Sequence, residues 1–304
     1  MRVFVTGGTG LIGTRLVRQL LKRGDQPVVL TRRPDAAAKL FGPACTVVAG
    51  DPTQSGAWVD AVADCDAVVN LAGENVFGRR WNAEVKALLN DSRVKATQNV
   101  VEALRQQTDG RPRTLVNASA IGYYGPHGDE ELTEDSPPGD DFLARICIDW
   151  EKAALAVESA GVRCVTVRVG VVLDKEGGAL AKLLTPFKLG AGGPVGSGKQ
   201  WMSWIHHEDM TGLFLLALDD AGAAGPLNGT APEPVTNRDF GRALGGALRR
   251  PAIMPMPGFA LRLLVGEAAE VVLGGQRVLP RRAQQLGYVF KYPTIDAALR
   301  EIVG

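Results

Sequence analysis

Met1-Arg-Val-Phe-Val-Thr-Gly-Gly-Thr-Gly-Leu-Ile-Gly13 opens the chain, and this stretch decides the fold. Residues 2–6 are apolar enough for a short buried strand, and residues 11–23 carry the apolar spacing of a helix. The glycines between them fit both G-x-G-x-x-G and G-x-x-G-x-x-G, two registers that share Gly10 and Gly13. Strand, glycines and helix in this order predict a dinucleotide-binding turn. The alternative is a glycine-rich turn that holds no ligand.

The glycine loop is suited to a pyrophosphate. Glycine lets the backbone turn tightly and lets the diphosphate approach the main chain. The N-terminus of the following helix offers unpaired N–H groups and a partial positive charge to that anion. The residues that we expect to contact it are Gly7, Thr9, Gly10, Leu11, Ile12 and Gly13.

Composition narrows the class of protein. The 304 residues suffice for one large domain or for a large domain with a smaller lobe. A formal charge of +1 predicts neither nucleic acid nor an anionic membrane as a partner. The four cysteines lack C-x-x-C spacing, which favours a reducing, cytoplasmic location. No cluster has the spacing of a zinc site, so we predict no metal.

Strand-like and helical segments alternate through the first half of the chain. Short runs rich in β-branched residues predict strands that are buried on both faces of a parallel sheet. We therefore expect an α/β fold, a Rossmann-type doubly wound parallel sheet with a smaller C-terminal lobe. The predicted strands cover residues 2–6, 28–31, 46–49, 67–71, 114–119 and 163–169, and the predicted long helices cover 82–106 and 142–160.

The character of the sequence changes after Gly170, where a glycine-rich loop and then repeated prolines appear. We expect residues 1–170 to form the nucleotide-binding core, with residues 200–230 returning to it. The smaller lobe, on the substrate side, is then made of residues 171–199 and 231–304. Further helices are predicted near residues 210–218, 237–248 and 258–273.

The end of the second strand selects the cofactor. An acidic residue there favours NAD by binding the ribose 2′-hydroxyl, whereas an arginine favours NADP by pairing with the 2′-phosphate. Thr31, Arg32 and Arg33 occupy this place without an acid among them, which predicts NADP(H). One of the two arginines is expected to be ordinary surface charge. Asp51, after strand three, either meets the adenine or forms a plain turn.

Small residues follow the fourth strand. Leu71, Ala72 and Gly73 leave room there for the middle of the cofactor, because α/β ligands line the carboxyl edge of the sheet. A merely structural turn is the alternative.

These features together resemble the extended type of the short-chain dehydrogenase/reductase superfamily. More narrowly, nearly the whole chain resembles its atypical branch of epimerase family proteins, distant relatives of nucleoside-diphosphate-sugar epimerases. The narrower resemblance rests on Asn70-Leu-Ala-Gly-Glu-Asn75, Asp91-Ser-Arg93, Ser119-Ala-Ile-Gly-Tyr-Tyr-Gly125, Gly192-Gly-Pro-Val-Gly-Ser-Gly198, Trp204-Ile-His206 and Leu279-Pro-Arg-Arg282.

The resemblance implies a Rossmann core that binds NADP and a C-terminal region of unknown role. It implies that Thr31-Arg32 meets the 2′-phosphate and that Glu74 lies near the nicotinamide-side ribose. It implies that Arg80, or else Arg79, reaches over the pyrophosphate, and that Arg168 faces the nicotinamide end. Glu74, Arg80 and Arg168 each have an alternative role as structural ion-pair partners.

The resemblance also exposes a gap in the catalytic machinery. Extended members use a serine, then a tyrosine and a lysine four residues apart, and the lysine lowers the tyrosine pKa so that the phenol can exchange a proton. Alignment on Glu151 places Leu143 at the tyrosine position and Cys147 at the lysine position. Ser119 survives as a hydrogen-bond donor, and it is expected to contact both cofactor and substrate.

Other residues near the expected site offer substitutes. Tyr123 and Tyr124 follow strand five, and we take Tyr123 as the candidate proton donor, although a buried tyrosine usually packs with its hydroxyl satisfied. His206 is a weaker candidate, because the similar histidine turn of extended relatives is mainly structural. Trp201 and Trp204 either wall a pocket or belong to the core.

Two functions are consistent with the sequence. The first is an NADP(H)-dependent oxidoreductase or epimerase-like enzyme acting on a small polar molecule, such as a sugar nucleotide or a carbonyl compound. The second is a catalytically inactive module that senses NADP(H) and signals through the C-terminal lobe. The long helices allow a homodimer, but no feature requires one.

Overall fold

The computed structural model describes residues 1–107, 109, 111 and 113–304, and it contains a seven-stranded parallel sheet between two layers of helices. The α/β Rossmann-type prediction is confirmed. The strands are β1 Arg2–Thr6, β2 Gln26–Thr31, β3 Thr46–Ala49, β4 Ala67–Asn70, β5 Thr114–Ala120, β6 Glu131–Leu132, β7 Arg163–Val169, β8 Val171–Leu173, β9 Trp201–Met202, β10 Trp204–His206, β11 Gly225–Gly229, β12 Val235–Thr236 and β13 Arg277–Val278.

Helices cover both faces of this sheet. The α-helices are α1 Leu11–Lys22, α2 Pro34–Phe41, α3 Asp60–Ala63, α4 Ala83–Arg105, α5 Phe142–Leu155, α6 Gly178–Lys188, α7 His207–Asp219, α8 Asn237–Leu248, α9 Gly258–Val265, α10 Glu270–Leu273, α11 Arg281–Gln285 and α12 Ile295–Val303. Short 3-10 helices lie at Ala57–Val59, Ile121–Tyr124, Ala156–Ala160 and Gly266–Ala269. Among the described residues, no helix is both long and apolar enough to cross a membrane.

The strand order in the sheet is β11-β7-β5-β4-β1-β2-β3, and every pair is parallel. Alternate side chains enter opposite cores because strand residues point alternately to the two faces. Val5 and Val69 join the core beneath α1 and α7, whereas Phe4 and Val68 join the core beneath α4. Successive strands are added on one side of β1 up to β3 and on its other side from β4 onward, so the carboxyl ends of β1 and β4 form the switch point where ligands of this architecture bind.

Most predicted elements of the core occur within one or two residues of their expected bounds. The long helix α4 begins after Asn82, whose side chain accepts a hydrogen bond from the Val85 N–H at 2.8 Å, and it ends at Arg105. The prediction of one helical stretch over residues 258–273 is wrong. Gly266, at φ +67°, breaks it into α9, a 3-10 turn and α10. Neither β11 nor α6 was predicted.

Short strand pairs connect the C-terminal part of the chain to the carboxyl edge of the sheet. β8 pairs with β10, β9 with β12, and β13 with β6. The β13–β6 pair places residues 277–282 beside the end of β11, where the Asn228 amide donates to the Leu279 carbonyl at 3.0 Å. The domain boundaries given above stay a prediction.

Candidate functional site

The glycines of the loop after β1 have no room for a side chain. Gly7 adopts φ +64°, and a Cβ on it would lie 2.6 Å from the Leu71 carbonyl oxygen. A Cβ on Gly13 would overlap the Gly7 carbonyl and lie 2.7 Å from the Gly8 Cα. A Cβ on Gly8 would lie 2.9 Å from Val29 Cγ1, so the glycines of both registers are required by close contacts.

The N-terminus of α1 is available to an anion. α1 starts at Leu11, and in the described chain no side chain caps it and no acidic residue lies in its first turn. Its first N–H groups have no partner within the helix. The loop and helix thus form a cradle that fits a diphosphate.

The adenosine end of the expected site is open. Thr31 is buried at the end of β2, and its Oγ1 accepts a hydrogen bond from the Arg33 N–H at 3.1 Å. Arg32 and Arg33 are both exposed. Asp51 accepts from the Thr53 N–H at 2.9 Å and from its hydroxyl at 2.8 Å, a geometry that favours the plain turn. The cofactor contacts of these residues stay predictions.

Leu71, Ala72 and Gly73 lead away from β4 against the glycine loop. The Ala72 N–H donates to Thr6 Oγ1 at 3.2 Å, and the Leu71 carbonyl lies against Gly7. These contacts couple the end of β4 to the end of β1. They lie at the switch point, and their contact with the middle of the cofactor stays a prediction.

A set of buried polar side chains lies beneath this edge, and we call it the strand-end network. The Asn70 amide donates to Thr97 Oγ1 at 2.8 Å and to Asn117 Oδ1 at 2.6 Å. The Trp150 indole donates to the same threonine at 2.8 Å. The members are Thr6, Asn70, Thr97, Asn117 and Trp150. The last three were not predicted from the sequence, because their partners are remote in sequence.

Ser119 is buried, and its proton is already engaged. Its Oγ donates to Glu151 Oε1 at 2.6 Å. Glu151 also holds the Arg168 guanidinium through two hydrogen bonds of 2.8 and 2.9 Å. Although burial disfavours the charged guanidinium, Glu151 raises the pKa of Arg168 above its ordinary value. For Arg168 this geometry supports the ion-pair alternative rather than a free charge facing the nicotinamide.

The two tyrosines after β5 differ in their surroundings. Tyr124 is fully buried, donates to Asn228 Oδ1 at 2.7 Å and accepts from Arg168 Nη1 at 2.9 Å. Burial raises the pKa of Tyr124 to about 12, so this phenol is a structural member of the site. Tyr123 is half-buried, and its ring lies 3.5 Å from the Arg168 guanidinium carbon. Tyr123 remains the candidate proton donor.

The structure places Leu143 and Cys147 beside this same turn. A Cβ on Gly122 would lie 3.5 Å from Leu143 Cβ and 3.9 Å from Cys147 Sγ. Both therefore occupy the surroundings in which the tyrosine and lysine were expected. Burial raises the pKa of Cys147 to about 12, so the thiol is neutral. Neither residue supplies the missing acid or cation.

The loop after β4 carries Glu74 and Arg80. Glu74 is half-buried, and its carboxylate accepts from the Asn75 N–H at 3.2 Å. Arg80 is exposed and lies against Gly266, where a Cβ would be 2.8 Å from Arg80 Nε. Arg93 of α4 reaches the same loop, with Nη2 donating to the Glu74 carbonyl at 2.9 Å. Only the Asp91-Ser-Arg93 resemblance had drawn attention to Arg93.

His206 has a structural role, because both of its ring nitrogens are hydrogen-bonded within the protein. It is fully buried, and its Nδ1 accepts from the Glu208 N–H at 3.1 Å, which caps α7. Because Nδ1 accepts, Nε2 carries the proton that it donates to Glu301 at 2.9 Å. In the part of the chain that the structure describes, His206, His207 and Glu301 form one group with ligand-type atoms within 4.8 Å. The hydrogen bond between His206 and Glu301 accounts for the approach of those two side chains, and the absence of a metal stays a prediction.

The two tryptophans differ in burial. Trp204 is fully buried, and its indole donates to the Glu233 carbonyl at 2.9 Å, so the core alternative holds for it. Trp201 is half-buried, and its indole donates to Asp129 at 2.7 Å.

The strand order of the sheet, the glycine cradle and the ligand-binding edge at the carboxyl ends of the strands together define a dinucleotide-binding Rossmann protein. Residues 3–228 match the NAD dependent epimerase/dehydratase family, and residues 256–302 match a domain of unknown function, DUF1731. The chain belongs to this epimerase family, as the resemblance predicted. It is 44% identical, over its whole length and 87% of the relative, to the chloroplastic epimerase family protein SDR39U1 homolog of Arabidopsis thaliana. It is 40% identical to human epimerase family protein SDR39U1, with full coverage of both chains.

Solved structures agree with this assignment. Human SDR39U1 (isoform 2), crystallised with NADPH, matches at a TM-score of 0.86 and 38% identity, covering 100% of this chain and 99% of the other. Thermus thermophilus UDP-glucose 4-epimerase, in complex with NAD, matches at a TM-score of 0.79 and 21% identity, covering 100% and 98%. The second likeness shows the fold alone. The chloroplastic plant relative leaves the cytoplasmic location of this chain a prediction.

Proposed function

We propose that this protein binds NADP(H) along the carboxyl edge of its sheet and acts as an oxidoreductase or epimerase-like enzyme on a small polar molecule. The cradle formed by Gly7 and Gly13 carries the proposal, because a Cβ at either position would strike the backbone. The NADPH-bound human relative supports the same choice of cofactor. A cytoplasmic location, a homodimer, and the absence of nucleic-acid and membrane partners belong to this proposal as well.

The residues present fit the cofactor. The cradle and the start of α1 hold the diphosphate, Thr31-Arg32 receives the 2′-phosphate, and Leu71-Ala-Gly73 underlies the middle of the molecule. Asp51 and Arg80 are at the edges of this path. When bound, the nicotinamide supplies the hydride chemistry. The chain's own contribution is to orient the reacting partner and to exchange a proton.

Ser119 and Tyr123 are the proposed catalytic residues. Because the Ser119 proton is given to Glu151, the serine oxygen keeps its lone pairs and accepts a hydrogen bond from a substrate hydroxyl or amide. Tyr123 holds its ring on the Arg168 guanidinium, and its hydroxyl has no hydrogen-bond partner among the described residues. That phenol is therefore free to pass a proton to a substrate oxygen.

One observation favours the second candidate, the NADP(H) sensor. Leu143 and Cys147 remove the acid and the cation that extended relatives place beside the substrate, and burial keeps the thiol neutral. A protein with this site still binds a cofactor without turning over a substrate.

One experiment separates the two candidates. The purified protein is mixed with NADPH and a panel of aldehydes, ketones, quinones and nucleotide sugars, and absorbance at the nicotinamide band is followed. Turnover that is abolished by Tyr123→Phe or Ser119→Ala, and retained by the control Tyr292→Phe, supports the enzyme. Tight NADPH binding without turnover supports the sensor. A natively folded sample that gives no calorimetric heat with either nicotinamide nucleotide contradicts both.

A further inference from the structure

Arg93 is a guanidinium without a carboxylate partner. Its Nη1 donates to the Leu89 carbonyl at 2.9 Å, and its Nη2 donates to the Glu74 carbonyl at 2.9 Å. Among the residues that the structure describes, no carboxylate oxygen lies within 4.0 Å of it. Burial lowers the pKa of Arg93, and the Glu74 charge acts in the opposite direction. Arg93 is half-buried, and partial burial of a charge that no carboxylate pairs is costly, so a function is expected for it.

The guanidinium lies directly beside the expected ligand edge. A Cβ on Gly73 would be 3.3 Å from Arg93 Cζ, so the arginine contacts the residue that follows the β4 turn. The guanidinium carbon also lies 5.3 Å from the Trp150 ring centroid. Trp150 belongs to the strand-end network, which fixes the position of this ring.

The strand order shows which half of the cofactor reaches Arg93. Arg32 follows β2, the glycine cradle follows β1, Gly73 follows β4 and Ser119 lies near the end of β5. A dinucleotide with its 2′-phosphate at Arg32 and its diphosphate at the cradle extends its second ribose over the end of β4. Gly73 and Arg93 are at that place.

Arg93 also adjoins the position that lacks a lysine. Trp150, the ring beside the Arg93 guanidinium, follows Cys147 on α5 by three residues, so the two positions lie on neighbouring turns of one helix face. An arginine carries five N–H donors, and the two carbonyls and a distant serine oxygen leave Nε and one Nη2 hydrogen without an acceptor among the described residues. These donors suit a ligand rich in hydroxyl oxygens.

We propose that Arg93 is a cofactor-binding residue that supplies, from α4, the cation missing at Cys147 on α5, and that its free donors bind the ribose hydroxyls on the nicotinamide side of NADP(H). This inference rests on the proposed function and adds a residue to the same site.

The test compares two ligands by calorimetry in wild type, Arg93→Met and Arg93→Lys. NADPH contains the nicotinamide-side ribose, whereas adenosine 2′,5′-bisphosphate contains only the adenosine half. We expect Arg93→Met to weaken NADPH about tenfold or more and to change the bisphosphate affinity less than about twofold. Arg93→Lys is expected to retain part of the NADPH affinity. Arg105→Met, on the exposed side of α4, serves as the control and is expected to change neither.

A double variant tests whether a lysine at position 147 can replace the arginine at position 93. Cys147→Lys in the Arg93→Met background restores a positive charge at the vacant position, and we expect it to recover part of the lost NADPH affinity. If Arg93→Met does not fold, Arg93→Lys carries the same two-ligand comparison.

Unchanged NADPH affinity in folded Arg93→Met overturns the inference while leaving the proposed function intact. An equal loss for both ligands shows a structural role and also overturns it. A wild-type protein that binds neither ligand overturns the proposed function, and this inference with it.

Discussion

Adjacent arginines at the end of β2 have similar exposure but different expected roles. Arg32→Ala is expected to weaken NADPH binding by about 10–100-fold and NADH binding by less than about twofold, because only NADPH carries the 2′-phosphate. Titration calorimetry with both nucleotides measures this difference. Arg33→Ala is the matched control and should leave the NADPH-to-NADH ratio unchanged. Equal effects of Arg32→Ala on both nucleotides would remove the argument for NADP selectivity.

Single residues were predictable where their role depends on nearby sequence. Gly7 and Gly13 are required by a turn only a few residues long, and the end of β2 is marked by its own strand. Ser119 was recognised, but its bond to Glu151, 32 residues away, was not. Arg168 was placed at the right edge without its partner, and Arg93 was noticed only as part of a resemblance. Ion pairs between distant segments depend on the packing of helices against the sheet, which residue spacing does not encode.

The turn between β1 and α1 provides a prediction at the scale of an element. Gly13→Ala places a methyl group against the Gly7 carbonyl and the Gly8 Cα, both backbone atoms that cannot rotate away. We expect it to lower the free energy of unfolding by about 1–3 kcal/mol and to abolish NADPH binding. Urea unfolding and calorimetry measure the two effects.

Gly246→Ala is the matched substitution in α8. A Cβ there meets nothing within 4 Å, and α8 continues to Leu248. We expect it to raise stability by up to about 1 kcal/mol, because alanine favours a helix over glycine. Equal stabilisation by both substitutions would show that helix propensity, and not backbone contact, governs Gly13.

Elements with strong periodicity were predicted well, and elements made by tertiary contact were not. β11 reads Gly225-Pro-Leu-Asn-Gly229, a composition typical of a turn, yet it pairs along β7. Sheet formation at such a site comes from the neighbouring strand rather than from intrinsic preference. The predicted 258–273 helix failed at Gly266 for a related reason, since the left-handed turn there packs against Arg80.

At the scale of the whole molecule, a buried ion pair joins the sheet to α5. Glu151→Gln leaves the Arg168 charge without a counter-ion, and both residues are buried. We expect a loss of about 3–5 kcal/mol in the free energy of unfolding, measured in urea. The double variant Glu151→Leu/Arg168→Met should lose less than the single variant. A loss below about 1 kcal/mol for Glu151→Gln would show that water reaches the pair.

His206 links global stability to pH. Burial lowers the pKa of His206 below its ordinary value of 6.5, against the raising effects of Glu301, Glu208 and Asp209. The unfolded chain then binds more protons below pH 6.5, so stability falls as the pH drops from 6.5 toward the folded-state pKa. The slope from one such group is at most about 1.4 kcal/mol per pH unit.

We expect His206→Asn, which keeps an acceptor for the Glu208 N–H, to flatten the pH dependence of urea unfolding between pH 7 and pH 5. Some slope should persist, because burial also lowers the pKa of the adjoining His207. Identical slopes in the two proteins would show that His206 is not the group that titrates.

The pairing of β13 with β6, and the hydrogen bond that the Arg282 N–H donates to Glu134 at 3.2 Å, have a consequence for biosynthesis. All seven strands of the main sheet have left the ribosome once Gly229 has emerged. The contacts with β6 and Glu134 form only after β13 and Arg282 have been synthesised, roughly 50 residues later. At about 5–20 residues per second, that delay is roughly 3–10 s. A nascent chain thus completes the seven strands of its nucleotide-binding sheet before it can form the β13–β6 pair beside them.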